Sequence, residues 1–159
     1  MKHERPPSTR SLVPRNPDYK AFIEEKLEGQ DFMRHIGFEL ITIEPGYVEG
    51  RAPLAPFLTQ QDGFVHGGVT ATVADIVCGF AAFSLVRREE HVVTGDLNLS
   101  FLAPGRGNAV FAKGYVLKPG KRLNFCEGEV YTEDQQAGDT LIAKINTTMT
   151  KFTPGDNLA

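Results

Sequence analysis

One carboxylate lies in the middle of a long apolar segment. Residues 67–86 contain no charged side chain except Asp75. Aspartate is seldom buried in a protein unless it is paired, so Asp75 is either half of a structural ion pair or a group placed for chemistry. The start of the segment favours chemistry, because His66 is followed directly by Gly67 and Gly68. Glycines let a ligand approach the backbone closely, and unpaired N–H groups at a helix N-terminus attract negative charge.

These two features together indicate a functional site. A carboxylate about two turns along a helix could activate a water molecule or attack a carbonyl carbon. The N–H groups at the start of the helix would hold the oxyanion that forms. Spacing alone leaves the structural ion pair open as the alternative.

Helical periodicity separates Asp75 from the large side chains of its own helix. The carboxylate points about 130° away from a stripe that we expect to face a sheet: Val69, Val73, Ile76, Phe80 and Phe83. Its neighbours on its own side are small, namely Gly68, Ala71, Gly79 and Ala82. A second chain or a slim ligand could therefore come close to the carboxylate.

The rest of the chain predicts one short helix and six strands. Residues 18–33 have helical spacing, with Asp18 as the expected N-cap. Residues 38–54 indicate two strands around a Pro45-Gly46 turn. Alternating side chains between turn residues predict four further strands, over residues 91–102, 108–117, 122–132 and 140–152.

These elements predict the α+β fold class, with a curved antiparallel sheet wrapped around one long central helix. An antiparallel sheet buries one face and needs a cover, and only residues 67–86 are long and apolar enough to provide it. One sheet covers only part of such a helix, so we expect a partner copy to bury the rest. The predicted organisation is a flexible N-terminal arm over residues 1–17, one domain over 18–153 and a frayed tail over 154–159.

Composition disfavours several classes of protein. A net charge of −3 gives no basic excess for nucleic acid. Cys78 and Cys126 lack zinc-ligand spacing, so we expect no metal, and two lone thiols fit a reducing compartment. Residues 1–17 contain no apolar core of a secretory signal. Residues 67–86 have the length of a membrane span, but their small residues and central aspartate disfavour one. We therefore expect a cytoplasmic protein.

Three stretches of the chain match a known pattern. "HGGVTATVAD", "VTGDLNLSFLAPG" and "LKPGKRLNF" resemble the hotdog-fold acyl-CoA thioesterases of the phenylacetate-degradation type, and the similarity runs from about Phe32 to Phe152. The hotdog layout, a helix enclosed by a sheet, agrees with the predicted elements. The resemblance implies hydrolysis of an acyl-CoA to a free carboxylic acid and coenzyme A. It implies no cofactor, since coenzyme A is part of the substrate.

The resemblance also implies catalytic roles. Asp75 matches the catalytic acid, acting as nucleophile or as general base on water, and an aspartate leaves slightly more room for the water. Gly67 matches the residue whose N–H polarises the thioester carbonyl. Gln60 falls where relatives place an amide that contacts the thioester, and Thr94 where a hydroxyl orients water. His66 is implied to be structural or orienting. In such enzymes the active site lies between two subunits, so a homodimer or a homotetramer is expected.

Five further residues are candidates for binding the substrate. Gln61 is adjacent to Gln60, so either of the two residues could supply the amide that contacts the thioester. Gly68 lies at the helix start, where a ligand can approach. Gly120, Lys121 and Arg122 belong to the turn and strand that meet the coenzyme A nucleotide in relatives, although charges after a turn are often simply solvated.

The same fold also carries two other functions. A non-catalytic acyl-CoA sensor usually carries a DNA-binding segment, and residues 1–17 show no helix-turn-helix pattern. A hotdog hydratase needs a histidine five residues after the helix aspartate, where this chain has Phe80. The sequence leaves open the acyl group, the choice between dimer and tetramer, and the choice between nucleophile and base.

Overall fold

A computed structural model describes residues 5–9 and 11–155 and confirms the predicted fold class. Nine regular helices and strands follow one another in these residues, together with two 3-10 turns at Pro7–Thr9 and Pro56–Leu58. The bounds are α1 Tyr19–Glu28, α2 Asp31–His35, β1 Glu39–Glu44, β2 Tyr47–Pro53, α3 Gly67–Phe83, β3 His91–Phe101, β4 Ala109–Pro119, β5 Leu123–Glu133 and β6 Thr140–Phe152.

The six strands form one antiparallel sheet in the order β1-β2-β4-β5-β6-β3. Strand β3 therefore crosses to the far edge, beside β6, after α3 has passed over the sheet. The register shifts between Thr94 and Asp96 in β3 and between Val116 and Lys118 in β4. Such bulges bend a strand, which lets the sheet curve around α3.

The side of α3 that faces the sheet differs from the predicted stripe. Thr70, Ala74, Val77 and Ala81 are the buried side, each at most 2% exposed. Small residues lie there because β4 passes very close: a Cβ added at Gly114 would be 2.5 Å from the Cys78 nitrogen. Of the predicted stripe, Val73 is fully buried, whereas Ile76, Phe80 and Phe83 line a cleft. Because α3 is apolar nearly all round, periodicity does not single out one face.

The described part of the N-terminal segment packs against the β1–β2 turn. Thr9 is fully buried, and Arg5 pairs with Glu44 and donates a hydrogen bond to the Pro45 carbonyl at 2.9 Å. Leu12 fills the space beside Gly46, which has a φ of +70°. Residues 1–4, 10 and 156–159 lie outside the described residues, so the predicted limits of the arm and the tail stay predictions.

A charged cluster lies on the face of the sheet opposite α3. Glu129 accepts from Lys113 at 2.9 Å and from Lys144 at 3.0 Å, and also from the Tyr131 hydroxyl. Burial by itself raises the pKa of Glu129, but these hydrogen bonds and charges outweigh it and lower the pKa to about 2. The cluster therefore contributes to stability at neutral pH. In the described residues, no helix has the length and apolar character of a membrane span.

Candidate active site

Asp75 lies on the side of α3 opposite its fully buried side, next to the edge strand β3 of the sheet. Its Oδ1 accepts a hydrogen bond from the Thr94 hydroxyl at 2.7 Å. In the described residues it forms no ion pair, and its side chain is only half-buried. The structure thus brings two predicted catalytic residues together and leaves the carboxylate accessible.

Asp75 lines a cleft of about 310 Å³. Seven of its lining residues are apolar or glycine, and four are polar besides Asp75: Ile76, Gly79, Phe80, Phe83, Val92, Val93 and Met149 with Lys26, Gln30, His91 and Thr94. Apolar walls strengthen the electrostatic interactions of a bound ligand, because they lower the local dielectric constant. Its size and lining are those of a small-ligand site.

His66 holds the backbone at the start of α3. It occupies the N-cap position, and its Nδ1 accepts from the Gly68 N–H at 2.9 Å. An accepting Nδ1 carries no proton, so a neutral ring has its proton on Nε2. The His66 carbonyl accepts from the N–H groups of Val69 and Thr70, at 3.0 and 3.1 Å. The Gly67 N–H finds no acceptor in residues 5–9 and 11–155, which leaves it available to a ligand.

Gly67 and Gln60 line a second cleft, of about 520 Å³. The Gln60 Oε1 accepts from the Asp62 N–H at 2.5 Å, so that its amide NH₂ group remains free to donate. Gln61 is exposed, and its amide lies 3.2 Å from the Asp62 carboxylate. The geometry favours Gln60 over Gln61 as the amide near the helix start. The Phe101 ring covers Gly67, since a Cβ there would be 3.3 Å from the ring.

Within one chain, Gly67 and Asp75 do not form a single site. They are eight residues apart on α3, which corresponds to about 12 Å along the helix axis. They also line different clefts. An oxyanion donor and a catalytic base must both lie about 3 Å from the reacting groups. One copy of the chain therefore supplies two separate halves of the predicted machinery.

Lys121 and Arg122 lie at a third cleft, of about 500 Å³, which is strongly basic. Its charged lining consists of five cations and one carboxylate: Arg15, Arg87, Lys121, Arg122 and Lys151 with Glu90. Lys151 is 8% exposed and donates to the Gly120 carbonyl at 2.6 Å. Burial lowers the pKa of Lys151, while the Glu90 charge opposes this shift. The excess of positive charge makes this cleft a candidate anion site.

Comparison with known proteins identifies the family. The sequence profile of the thioesterase superfamily matches residues 62–138. Human acyl-coenzyme A thioesterase 13 is 30% identical over 108 residues, which are 67% of this chain and 76% of that protein. The crystal structure of a thioesterase family protein from Silicibacter pomeroyi has a TM-score of 0.83 at 32% identity and covers 85% of this chain and 98% of its own. The chain belongs to the thioesterase superfamily.

The predicted hotdog thioesterase fold and enzyme class, thioester hydrolase, are thereby confirmed. The PaaI protein of the Escherichia coli phenylacetic acid degradation operon aligns with this thioesterase at a TM-score of 0.74 and 18% identity, over 85% of this chain and 94% of its own. At 18% identity this similarity shows a shared fold and no more.

Several residues that line the clefts of this thioesterase are distant in the sequence and were not predicted as site residues. Lys26 and Gln30 come from the N-terminal helical region, yet they line the Asp75 cleft. Arg15 and Lys151 lie at opposite ends of the chain and meet at the basic cleft. No spacing signal in the sequence connects these positions. Cys78, interpreted as a core residue, is fully buried, and burial raises the pKa of its thiol.

Proposed function

We propose that this thioesterase hydrolyses an acyl-CoA to a free carboxylic acid and coenzyme A. The observation that carries the proposal is the state of Asp75, which is held by a neutral hydroxyl in an open, mostly apolar cleft. A carboxylate kept for a structural ion pair would have a cation beside it, and the described residues place none within ion-pair distance of Asp75. The relationship to human acyl-coenzyme A thioesterase 13 supports the substrate class.

In the proposed reaction Asp75 acts as a general base. It takes a proton from a water molecule, whose oxygen attacks the thioester carbonyl carbon. The C–S bond then breaks, and the proton held by Asp75 passes to the departing coenzyme A thiolate. Because the Thr94 hydroxyl donates a hydrogen bond to Asp75, the lone pairs on its oxygen remain free to orient the water. The Gly67 N–H stabilises the oxyanion.

We propose that a homodimer joins the two halves of this machinery. Strand β3 lies at the end of the sheet, and its Val93, Leu97 and Phe101 side chains are 43%, 39% and 60% exposed. Exposed strand edges of this kind pair readily with another strand. Thr94 contacts Asp75 near one end of β3, and Phe101 covers Gly67 at the other. Antiparallel pairing of two copies of β3 would therefore bring Asp75 of one copy towards Gly67 of the other. A tetramer of two such dimers is compatible with the same site.

We assign the basic cleft to the phosphate groups of coenzyme A. Lys121 and Arg122 are joined there by Arg15, Arg87 and Lys151. His91 lines the Asp75 cleft and stacks on Phe152, which lines the basic cleft, with ring centroids 5.4 Å apart. The two clefts are thus neighbours, which supports one substrate reaching both. Both cysteines are free thiols, which supports the proposed reducing, cytoplasmic location.

Substitution of Asp75 tests the proposal. Turnover of phenylacetyl-CoA and hexanoyl-CoA would be followed with a free-thiol reagent for wild type, Asp75→Asn and Asp75→Ala. We expect kcat to fall by about 10²–10⁴, as for the loss of a general base, with unchanged melting temperature and molecular size. Asp31→Asn is the matched control, since the Asp31 side chain is 92% exposed. Near wild-type kcat in a folded Asp75→Asn variant would contradict the proposal.

A further inference from the structure

Gln60 lies on a tight hairpin that leads directly into α3. Thr59 and Val65 form an antiparallel bridge at its base, and the Gln60 N–H donates to the Phe64 carbonyl at 2.8 Å. The Gly63 N–H donates to the Gln60 carbonyl at 2.9 Å and closes the turn at the tip. Gly63 has a φ of +75°, a conformation that glycine adopts without strain. The position of the Gln60 side chain therefore depends on how this hairpin is held.

Arg106 reaches the hairpin from the turn between β3 and β4. Its Nη2 donates to the Asp62 carbonyl at 2.7 Å, and its guanidinium lies over the Phe64 ring, 4.0 Å from the ring centroid. It also lies against Gly63, where an added Cβ would be 3.2 Å from Nη1. A planar guanidinium can stack on a ring and donate hydrogen bonds in its own plane at the same time. One side chain thus contacts residues 62, 63 and 64 at the tip of the hairpin.

The turn that carries Arg106 is fixed to the sheet. The Asn108 N–H donates to the Glu133 carbonyl at the end of β5, at 2.8 Å. Next to Arg106, the Gly105 carbonyl accepts from the Val65 N–H at 2.9 Å, and Gly105 is buried. The backbone of Arg106 therefore has a fixed position, from which its side chain ties the exposed tip of the hairpin to the sheet.

The contact of Arg106 with Asp62 bears on the orientation of the Gln60 amide. The Gln60 Oε1 accepts from the Asp62 N–H at 2.5 Å, while Arg106 donates to the carbonyl of the same residue. Gln60 and Gly67 line one cleft, and Arg106 is not among the residues that line it. Arg106 is thus placed to act on a ligand in this cleft through Gln60 and not by direct contact.

We propose that Arg106 is a positioning residue, which holds the Gln60 amide where its NH₂ group donates to the thioester carbonyl oxygen together with the Gly67 N–H. The inference rests on the proposed acyl-CoA hydrolysis. A donor stabilises a developing oxyanion only within hydrogen-bond distance, and a displacement of about 1 Å can lower a rate by about 100-fold. Loss of an interaction that is made only in the transition state lowers kcat and leaves KM unchanged.

A double-mutant cycle of Arg106→Met and Gln60→Ala tests the inference, with phenylacetyl-CoA and hexanoyl-CoA as substrates. We expect Arg106→Met alone to lower kcat by about 5- to 50-fold and to change KM by less than about twofold. Gln60→Ala alone should lower kcat by about 100-fold, as for the loss of an oxyanion donor. In the Gln60→Ala background, Arg106→Met should lower kcat by less than about twofold further, because the two residues act as a unit.

Arg34→Met is the matched control for the loss of an exposed arginine. The Arg34 guanidinium is 67% exposed and, like that of Arg106, donates to a backbone carbonyl, that of Glu28 at 2.8 Å. This variant should keep the wild-type kcat. Because Arg106 is exposed, we expect its variant to fold with the wild-type molecular size.

The outcomes separate this inference from the proposed function. Wild-type kcat in Arg106→Met or in Gln60→Ala would overturn the inference while acyl-CoA hydrolysis stands. An equal loss on adding Arg106→Met to wild type and to Gln60→Ala would also overturn it, because Arg106 would then not act through Gln60. A raised KM with unchanged kcat would instead mean that Arg106 binds the substrate itself. If wild type hydrolyses neither substrate, the proposed function falls and the inference falls with it.

Discussion

Replacing Gly79 by alanine should stabilise the protein and impair its activity on large acyl groups. A glycine inside a helix destabilises a protein by about 0.8–1.0 kcal/mol relative to alanine, so the substitution should raise the free energy of unfolding by that amount. No clash offsets this stabilisation, since the added Cβ would have no neighbour within 4 Å. In a domain of this size, about 1 kcal/mol corresponds to a rise of about 2–4 °C in Tm. Gly79 lines the cleft that contains Asp75, so the new methyl group would project into the space where the acyl group of the proposed substrate would lie.

The effect on activity should depend on the size of the acyl group. Overfilling a packed site costs about 1–3 kcal/mol, so kcat/KM for phenylacetyl-CoA should fall by about fivefold to a hundredfold. For acetyl-CoA, whose acyl group does not reach Gly79, kcat/KM should fall by less than about twofold. The assays are thermal denaturation and steady-state hydrolysis of the two substrates.

Two results would refute this reasoning about Gly79. A lower Tm would mean that a partner fills the space above Gly79 in the assembled protein. Equal losses for phenylacetyl-CoA and acetyl-CoA would mean that the acyl group lies elsewhere. Gly114→Ala provides the contrast, because its Cβ would be 2.5 Å from the Cys78 nitrogen. That variant should lose at least about 1–3 kcal/mol of stability.

Three further predictions follow from single contacts. Thr94→Val removes the hydroxyl that donates to Asp75 at 2.7 Å and should lower kcat about 10- to 100-fold, whereas Thr94→Ser should recover most of it; equal kcat in both variants would contradict the role. Since the pKa of Glu129 falls from 4.5 to about 2 on folding, its ionised form stabilises the fold above pH 4.5 and this contribution is lost as the pH falls towards 2. Glu129→Gln should thus lower the free energy of unfolding by about 1–3 kcal/mol at neutral pH. In denaturant titrations this difference in stability from wild type should become smaller in acid. Burial raises the pKa of Cys78 and brings that of Cys126 to about 12, so both thiols should react with a thiol reagent only as the protein unfolds, and fast labelling of the native protein would contradict their burial.

The sequence predicted the elements better than the contacts between them. The turn residues Pro45 and Gly46 and the alternation in residues 91–102 are local signals, and β1, β2 and β3 are found there. The face of α3 that meets the sheet could not be predicted, because it depends on Gly114 of another strand.

The candidate site was predictable to a similar extent. Asp75 was identifiable as a single charge in an apolar helix, and the resemblance implied that Thr94 belongs to the same site. Lys121 and Arg122 of the basic cleft were predicted, but Lys26, Arg15 and Lys151 were not, because their positions depend on how α1 and the two ends of the chain pack. The distance of about 12 Å between Gly67 and Asp75 follows from their spacing on the helix. Only the structure shows that the two residues line separate clefts.

A two-copy active site can be tested by combining two inactive chains. Gly67→Pro deletes the proposed oxyanion donor, and proline is well tolerated at the first position of a helix. The preceding His66 has φ −63° and ψ 135°, a conformation that a following proline permits. Gly67→Ala keeps the N–H and controls for added bulk.

The decisive measurement is the kcat of a heterodimer of Gly67→Pro and Asp75→Asn, isolated with two different affinity tags. If Asp75 of one copy works with Gly67 of the other, one of its two sites is intact. We then predict about half of the wild-type kcat per dimer, although each parent homodimer is nearly inactive. A heterodimer as inactive as its parents would contradict a catalytic site shared between two copies.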